Sequence, residues 1–316
     1  MFRNHALLAI GEILVEFVSH VRDCGLERIG PYSGPYPSGA PAIFADQAAR
    51  QGARSRMIGG VGADGFGRAV LSRLRADGVD LDAVTTAPDL PTGTAFVSYY
   101  RDGRRDFIFH LAGTAAERLH VPDAALTARP TLLHVSAASL GRAPLRTAIL
   151  SAVDTVLAAG GAVSCDPNAR PELMRDAEAR AALDHVMARA RILLPSIGDL
   201  AFLFPDLPEA EAMEAILTSG ADIVVLKRGA QGATVAGPEG RHDLAGHPVE
   251  EVDPTGAGDC FCGTFLAALT RGASVRQAAV RANAAGAIAV TRRGPMEGNS
   301  TPAEIDAFLT AHGGGS

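Results

Sequence analysis

The sequence has no tryptophan, only four cysteines and no run of 18 apolar residues. The cysteines lack the further His or Cys ligands of a tetrahedral zinc site, so we expect reduced, buried thiols. Without a long apolar run or a signal-peptide pattern at the N-terminus, we expect a cytoplasmic protein with no membrane partner. The net charge of −6 offers no basic surface, so nucleic acid is not expected as a partner either.

The 316 residues, 47% of them apolar and 20% charged, predict a soluble globular protein with a large core. This length fits one large α/β domain with an appendage, or two domains. Short apolar runs alternate with helix patterns, which is typical of a parallel sheet covered by helices on both faces. The regular alternation is interrupted at residues 12–37 and 91–111, where several short strands and an Asp-Gly turn are predicted.

One nine-residue stretch, DPTGAGDCF at residues 253–261, combines an anion-binding turn with a carboxylate. It follows a predicted strand end at 248–252 and opens a helix with the apolar stripe Phe261, Phe265 and Leu269. The N–H groups of Gly256, Ala257 and Gly258 are predicted to form a cradle for an anion at the helix N-terminus.

The carboxylate of Asp259 would repel a phosphate that was merely bound at this cradle. An acid in this place makes sense if it accepts the proton of a hydroxyl that attacks the phosphoryl group. The alternative is a Gly-rich turn that caps a buried helix, with Asp253 and Asp259 as local hydrogen-bond acceptors.

The stretch resembles the signature of the PfkB family, the ribokinase-like carbohydrate kinases. The resemblance extends over about residues 6–310 and implies an α/β/α sandwich with a central, mainly parallel sheet and a small β lid. It implies transfer of the ATP γ-phosphate to a sugar hydroxyl, with Asp259 as base and Mg²⁺ held mainly by ATP and water. It also implies a monovalent cation such as K⁺ at Asp253 and the Thr255 carbonyl.

The resemblance divides the chain into two parts. Residues 1–11, 38–90 and 112–316 would form the large α/β domain that binds nucleotide and sugar, and residues 12–37 and 91–111 the lid. The family forms homodimers through its lids, so a homodimer is expected here. Three aromatic residues are candidates for its apolar patch: Phe17, Tyr32 and Tyr36.

Several residues match positions that face the sugar or the nucleotide in the family. Glu16 replaces the usual Asp, Ile43 stands where Asn is common, and Ser196 and Asp199 replace Asn and Glu of the Asn-x-x-Glu segment. The implied sugar-binding residues are Glu16, Gly39, Ala40, His110, Asn168, Arg170 and Asp259. The implied nucleotide-binding residues are Ser196, Lys227, Gly229, Gly232, Gly256, Gly258 and Asn283.

Three questions remain open from the sequence. The stretches at residues 11–16, 38–44 and 105–109 most resemble a tagatose-kinase-like branch, so we predict a ketohexose substrate such as tagatose, with 2-keto-3-deoxygluconate or fructose as alternatives. Residues 60–65 match Gly-x-Gly-x-x-Gly, with Asp80 and Asp82 downstream, so a dinucleotide-binding domain is a rival interpretation. A further alternative is a regulator with the same fold that binds sugar without catalysing a reaction.

Overall fold

The computed structural model describes residues 2–102, 104–127, 130–169 and 176–312. These residues form two β-sheets and ten α-helices. The strands are β1 (Ala6–Ile10), β2 (Leu14–Ser19), β3 (Tyr32–Ser38), β4 (Ser55–Gly62), β5 (Val84–Ala87), β6 (Gly93–Tyr99), β7 (Arg105–His110), β8 (Thr131–Ser136), β9 (Ala162–Asp166), β10 (Ile192–Leu193), β11 (Ile223–Lys227), β12 (Ala233–Gly237) and β13 (Gly240–Leu244). The helices are α1 (Ala40–Arg50), α2 (Gly65–Ala76), α3 (Asp123–Thr127), α4 (Ala143–Ala158), α5 (Ala177–Met187), α6 (Ile197–Leu203), α7 (Glu209–Thr218), α8 (Ala257–Thr270), α9 (Val275–Ala289) and α10 (Pro302–Ala311).

The large sheet has nine strands in the order β13-β12-β11-β10-β9-β8-β1-β4-β5. All its pairs are parallel except β11 with β12 and β12 with β13. Its central strands are buried on both faces, as β8 shows, because helices cover both sides of the sheet. The predicted α/β sandwich with a mainly parallel sheet is therefore confirmed.

Helices pack on each face of the large sheet and enclose two apolar cores. On one face, α1, α2, α8 and α9 contribute Phe44, Val70, Phe265 and Ala282. The helices α3 to α7 cover the other face, where Ile149 of α4 and Leu183 of α5 are fully buried. The first core supports the N-termini of α1 and α8. Gly39 and Ala40 lie at the start of α1, and the DPTGAGDCF stretch lies at the start of α8.

The small sheet has four strands in the order β3-β2-β6-β7. The central pair, β2 with β6, is parallel, and both outer pairs are antiparallel. Its strands come from the two segments that interrupt the predicted alternation. Side chains alternate between its faces, so Glu16, Phe107 and Phe109 point into a cavity beneath the sheet. The predicted Asp-Gly turn includes Gly103, which lies outside the described residues.

The strand predicted at residues 248–252, before the DPTGAGDCF stretch, was wrong. These residues form an irregular segment, in which Pro248 has no N–H to donate to a neighbouring strand. The chain instead makes the β12–β13 hairpin, which closes with Gly237 opposite Gly240. The hairpin adds an antiparallel edge to the large sheet, which the alternation of strands and helices does not predict.

Candidate active site

A cavity of about 970 Å³ lies between the carboxyl ends of the large sheet's strands and the small sheet. This volume lies within the range of small-molecule sites. Residues at or just after the ends of β9, β10 and β11 line its floor, and the small sheet forms its roof. The carboxyl ends of parallel strands are the usual ligand site of open α/β sheets.

The predicted cradle opens into this cavity at the N-terminus of α8. Gly256 is the N-cap, with φ of +79°, and a Cβ there would overlap the carbonyl of Pro295. Within the described residues, the N–H groups of Gly256 and Gly258 have no backbone acceptor, whereas the N–H of Ala257 approaches the Pro254 carbonyl at 3.4 Å. Free N–H groups and the helix dipole favour an anion here.

Asp259 lies in the first turn of α8, directly after the cradle, and lines the cavity although only 9% exposed. Helix geometry points its carboxylate toward the N-terminal end, on the same side as the cradle. The helix dipole stabilises a negative charge at this position. The arrangement therefore joins a proton acceptor and an anion site within one helical turn.

Lys227 provides a cation at the edge of the cradle. Its ammonium lies 3.5 Å from the position that a Cβ on Gly258 would occupy, and it forms an ion pair with Asp166. Burial alone would lower the pKa of Lys227, but the Asp166 carboxylate raises that pKa above its ordinary value. The lysine is therefore charged when an anion arrives. The neighbouring Arg228 pairs instead with Glu209.

Ser196 and Asn168 both line the cavity, and hydrogen bonds to Asp199 connect the two segments that carry them. Ser196 and Asp199 form a capping box for α6, and the second oxygen of Asp199 accepts from the Ala169 N–H at 2.6 Å. Asn168 donates to Ser136 Oγ at 3.1 Å. The Asp that replaces Glu in the Asn-x-x-Glu pattern thus orders the helix start and the segment that carries Asn168.

One end of the cavity, where the resemblance implies the sugar, is formed by β2, β3, β7 and the N-terminus of α1. Glu16 is buried and accepts from Ser38 Oγ at 3.3 Å, and Gly39 and Ala40 line the wall beside it. Sequence reasoning missed Glu12, which is buried in the same wall and accepts from Ser139 Oγ at 2.5 Å. Burial raises the pKa of Glu12, which the Ser139 hydrogen bond partly offsets.

The prediction for His110 was wrong, and Arg170 lies outside the described residues. His110 does not line the cavity, because the two-residue period of β7 places Arg105, Phe107 and Phe109 on the cavity face. The His110 ring packs on the opposite face against Phe96, with ring centroids 6.1 Å apart. Ile108 on the other face is apolar as well, so the alternation alone does not show which face of β7 lines the cavity.

Gly229, Gly232 and Asn283 all line the other end of the cavity. Gly232 has φ of +97° and packs against the backbone of Leu244, which leaves no room for a side chain. Asn283 donates from Nδ2 to the Ala245 carbonyl at 2.8 Å. His247 also lines this end and was missed, because it lies in the irregular segment after β13.

Thr255 lines the cavity, whereas Asp253 lies behind it and is 1% exposed. The Asp253 carboxylate accepts from the N–H groups of Thr255 (3.0 Å) and Gly294 (2.9 Å) and from the Tyr99 hydroxyl. None of the cationic side chains that the structure describes forms an ion pair with Asp253. A buried carboxylate that is balanced only by neutral donors fits a neighbouring monovalent cation.

The Gly-x-Gly-x-x-Gly segment does not form a dinucleotide site. Asp64 caps α2, accepting from Gly67 N–H at 2.8 Å, and also accepts from the hydroxyl of Thr92. Gly60 and Gly62 pack directly against other backbone, so the turn is filled by the protein itself. Asp80 pairs with Arg56 rather than facing a ribose. The dinucleotide alternative is therefore excluded for this segment.

The described residues contain no group of three or more His, Cys, Asp or Glu side chains placed to hold a metal ion. None of the helices in the described part of the chain is both long and apolar enough to cross a membrane.

Comparison with known proteins identifies the family. The model of the "pfkB family carbohydrate kinase" matches residues 4–302. The chain belongs to this family of carbohydrate kinases. A fructokinase of Vibrio alginolyticus is 33% identical over 280 residues, which cover 86% of this chain and 91% of the relative.

Solved structures of other pfkB-like proteins resemble the chain over nearly its whole length. A putative ribokinase II from E. coli, in complex with ATP and Mg²⁺, is 42% identical with a TM-score of 0.91, and the match covers 98% of this chain and all of that one. A fructokinase double mutant from Vibrio cholerae, with fructose, ADP and potassium bound, is 29% identical with a TM-score of 0.84, over 98% and 99% of the two chains. The ribokinase-like fold and the assignment as an ATP-dependent carbohydrate kinase are thereby confirmed.

Proposed function

We propose that this kinase transfers the ATP γ-phosphate to a hydroxyl of a ketohexose, with Asp259 as the base. The observation that carries the proposal is the position of Asp259, in the same first turn of α8 as the cradle of N–H groups and inside the cavity. The sugar oxygen attacks the γ-phosphorus as its proton passes to Asp259, and the bond from phosphorus to the β–γ bridging oxygen breaks. Lys227 and the cradle balance charge on the phosphoryl oxygens.

We assign the remaining roles by position in the cavity. Glu16, Gly39, Ala40 and Asn168 orient the sugar, and Ser196, Gly229, Gly232 and Asn283 border the nucleotide. Mg²⁺ would be held by the ATP phosphates and water, because no acidic cluster is available among the described residues, and a K⁺ ion near Asp253 and Thr255 would balance the buried carboxylate. The small sheet, residues 12–37 and 91–111, is the lid that excludes water from the reaction.

The carboxyl groups at the sugar end favour a neutral sugar, because they accept hydrogen bonds from hydroxyl groups. Glu12 and Glu16 are carboxylates in its wall, and Phe107 and Phe109 stack on each other at 5.4 Å beneath the lid. Fructose and tagatose are both neutral ketohexoses, and fructose is the substrate named for the Vibrio relatives. Arg105 also lines the cavity, so 2-keto-3-deoxygluconate, with its carboxylate, is the second candidate.

The test is ADP release with Mg-ATP and K⁺ against fructose, tagatose, psicose, sorbose, 2-keto-3-deoxygluconate, ribose and adenosine. We expect one ketohexose to be preferred. In Asp259→Asn, turnover should fall by about 10²–10⁴ or more while the sugar still binds, because the base is lost and the cavity is kept. A preference for 2-keto-3-deoxygluconate would change the proposed substrate and leave the proposed mechanism unchanged. Sugar binding without turnover in the wild type would establish the silent regulator instead.

A further inference from the structure

Tyr99 connects the small sheet with the turn that carries the cradle. It is the last residue of β6, and its hydroxyl contacts both the Asp253 carboxylate and the Thr255 hydroxyl. A carboxylate only accepts hydrogen bonds, so the Tyr99 hydroxyl is the donor to Asp253. A side chain from the roof of the cavity thus reaches the residues directly before Gly256.

The Asp253 carboxylate joins three separate parts of the chain. One donor is Tyr99 in the small sheet, the second is the N–H of Thr255 at the start of the turn, and the third is the N–H of Gly294 after α9. The residue next to Gly294, Pro295, places its carbonyl against Gly256. Gly256 therefore lies between Thr255 on one side and Pro295 on the other, and Asp253 binds Thr255 directly and Pro295 through its neighbour Gly294.

We infer that Tyr99 is a positioning residue that couples closure of the small sheet over the sugar to the geometry of the cradle. The inference rests on the proposed function, in which the sugar lies under this sheet and the phosphoryl group at the cradle. When the sheet lifts, Asp253 loses the Tyr99 donor from the roof and keeps the N–H donors of Thr255 and Gly294. When the sheet closes, the third donor is restored and the turn is ordered for phosphate.

This coupling has a thermodynamic consequence for ligand binding. A sugar that favours the closed sheet should raise the affinity for a nucleotide that needs the ordered cradle, and the nucleotide should raise the affinity for the sugar by the same factor. A hydrogen bond to a charged group contributes enough to change an equilibrium constant by about tenfold or more. The expected coupling factor is therefore about ten.

Tyr99→Phe removes only the hydroxyl, and Tyr100→Phe is a matched control. Tyr100 is the next residue, but its hydroxyl bonds to Asp106 within the small sheet at 2.5 Å. Titration calorimetry would measure the affinity for a non-hydrolysable ATP analogue with Mg²⁺, with and without the sugar that the wild type phosphorylates. In Tyr99→Phe the coupling factor should fall toward one and kcat by about tenfold, while the affinity for the analogue alone stays within about twofold. Tyr100→Phe should keep the wild-type factor and kcat.

The outcomes separate the inference from the proposed function. If the wild type phosphorylates a sugar and Tyr99→Phe keeps the full coupling factor, the inference is wrong and the proposed function stands. The inference is also wrong if the wild type phosphorylates a sugar without any coupling between sugar and nucleotide affinity. It is wrong as well if Tyr100→Phe lowers the coupling factor as much as Tyr99→Phe does. If the wild type neither binds nor phosphorylates any sugar, the proposed function fails and the inference falls with it.

Discussion

Asp46 of α1 is a carboxylate with no exposure to solvent and no place in the proposed reaction. It accepts from Asn299 Nδ2 at 2.6 Å and lies 3.5 Å from the Arg73 guanidinium. Burial raises the pKa of Asp46 to about 7, against the attraction of Arg73. The folded state therefore holds the proton more tightly than the unfolded chain, whose ordinary value is 3.8.

Ionisation of Asp46 should lower the stability of the protein as the pH rises from about 4 to 7. The contribution is at most about 4 kcal/mol, at about 1.4 kcal/mol for each unit of pKa difference. In Asp46→Asn this loss is absent, so the variant should gain stability relative to the wild type across that window. Urea unfolding at pH 4.5, 6 and 8 would measure the difference. The exposed Asp82→Asn is the control, and an equal pH dependence in wild type and Asp46→Asn would contradict the expectation.

At the scale of an element, the N-terminus of α8 contains two glycines that we expect to differ in their tolerance of a methyl group. Gly256→Ala should destabilise the fold by about 2 kcal/mol or more, because φ is +79° and the Cβ would overlap the Pro295 carbonyl. Gly258→Ala should leave stability unchanged or raise it by up to about 1 kcal/mol, since the site is helical and has room. Its methyl group would nevertheless project toward Lys227, into the space assigned to the phosphoryl group, and turnover should fall at least tenfold.

Thermal unfolding together with ADP release would separate the two glycine variants. Gly240→Ala controls for backbone strain alone, because φ there is +96° and nothing lies near the added Cβ. Gly258→Ala with full turnover would contradict the position that we assign to the phosphoryl group.

The helices and parallel strands of this chain follow closely from local pattern. The helix predicted from the stripe Phe261, Phe265 and Leu269 is observed as α8, and the interruptions predicted at residues 12–37 and 91–111 supply the small sheet, because apolar periodicity reports burial directly. The cavity face of β7 and the wall residue Glu12 did not follow, because both depend on which elements meet in space. Asp253 was predicted as a cation ligand, but its hydrogen bond with Tyr99 joins residues far apart in the chain and leaves no local signal.

At the scale of the whole molecule, we expect a homodimer through the outer face of the small sheet. Phe17 and Phe96 stack there at 5.1 Å, Tyr32 packs edge-on against Phe96, and Ile108 is 43% exposed. Tyr36 does not contribute, since its ring packs against Gly294. Apolar side chains on an exposed sheet face are typical of an interface.

Ile108→Glu should convert such a dimer into a monomer, because a buried carboxylate without a partner is costly. Sedimentation equilibrium would measure the change in mass. Leu207→Glu, at a 41% exposed apolar residue of the large domain, should leave the mass unchanged. A wild-type monomer, or a dimer that survives Ile108→Glu, would rule out this interface.

The small sheet is made from two separate segments of the chain, and after each segment the chain continues into the large sheet. β2 and β3 lie between β1 and α1, and β6 and β7 lie between β5 and α3. The central pair, β2 with β6, brings Leu14 beside Gly93, although β3, α1, β4, α2 and β5 lie between the two strands in the chain. Such non-local pairing is slow. During synthesis and refolding, the roof should therefore be the last part to assemble, and phosphotransfer activity should recover later than the helical signal.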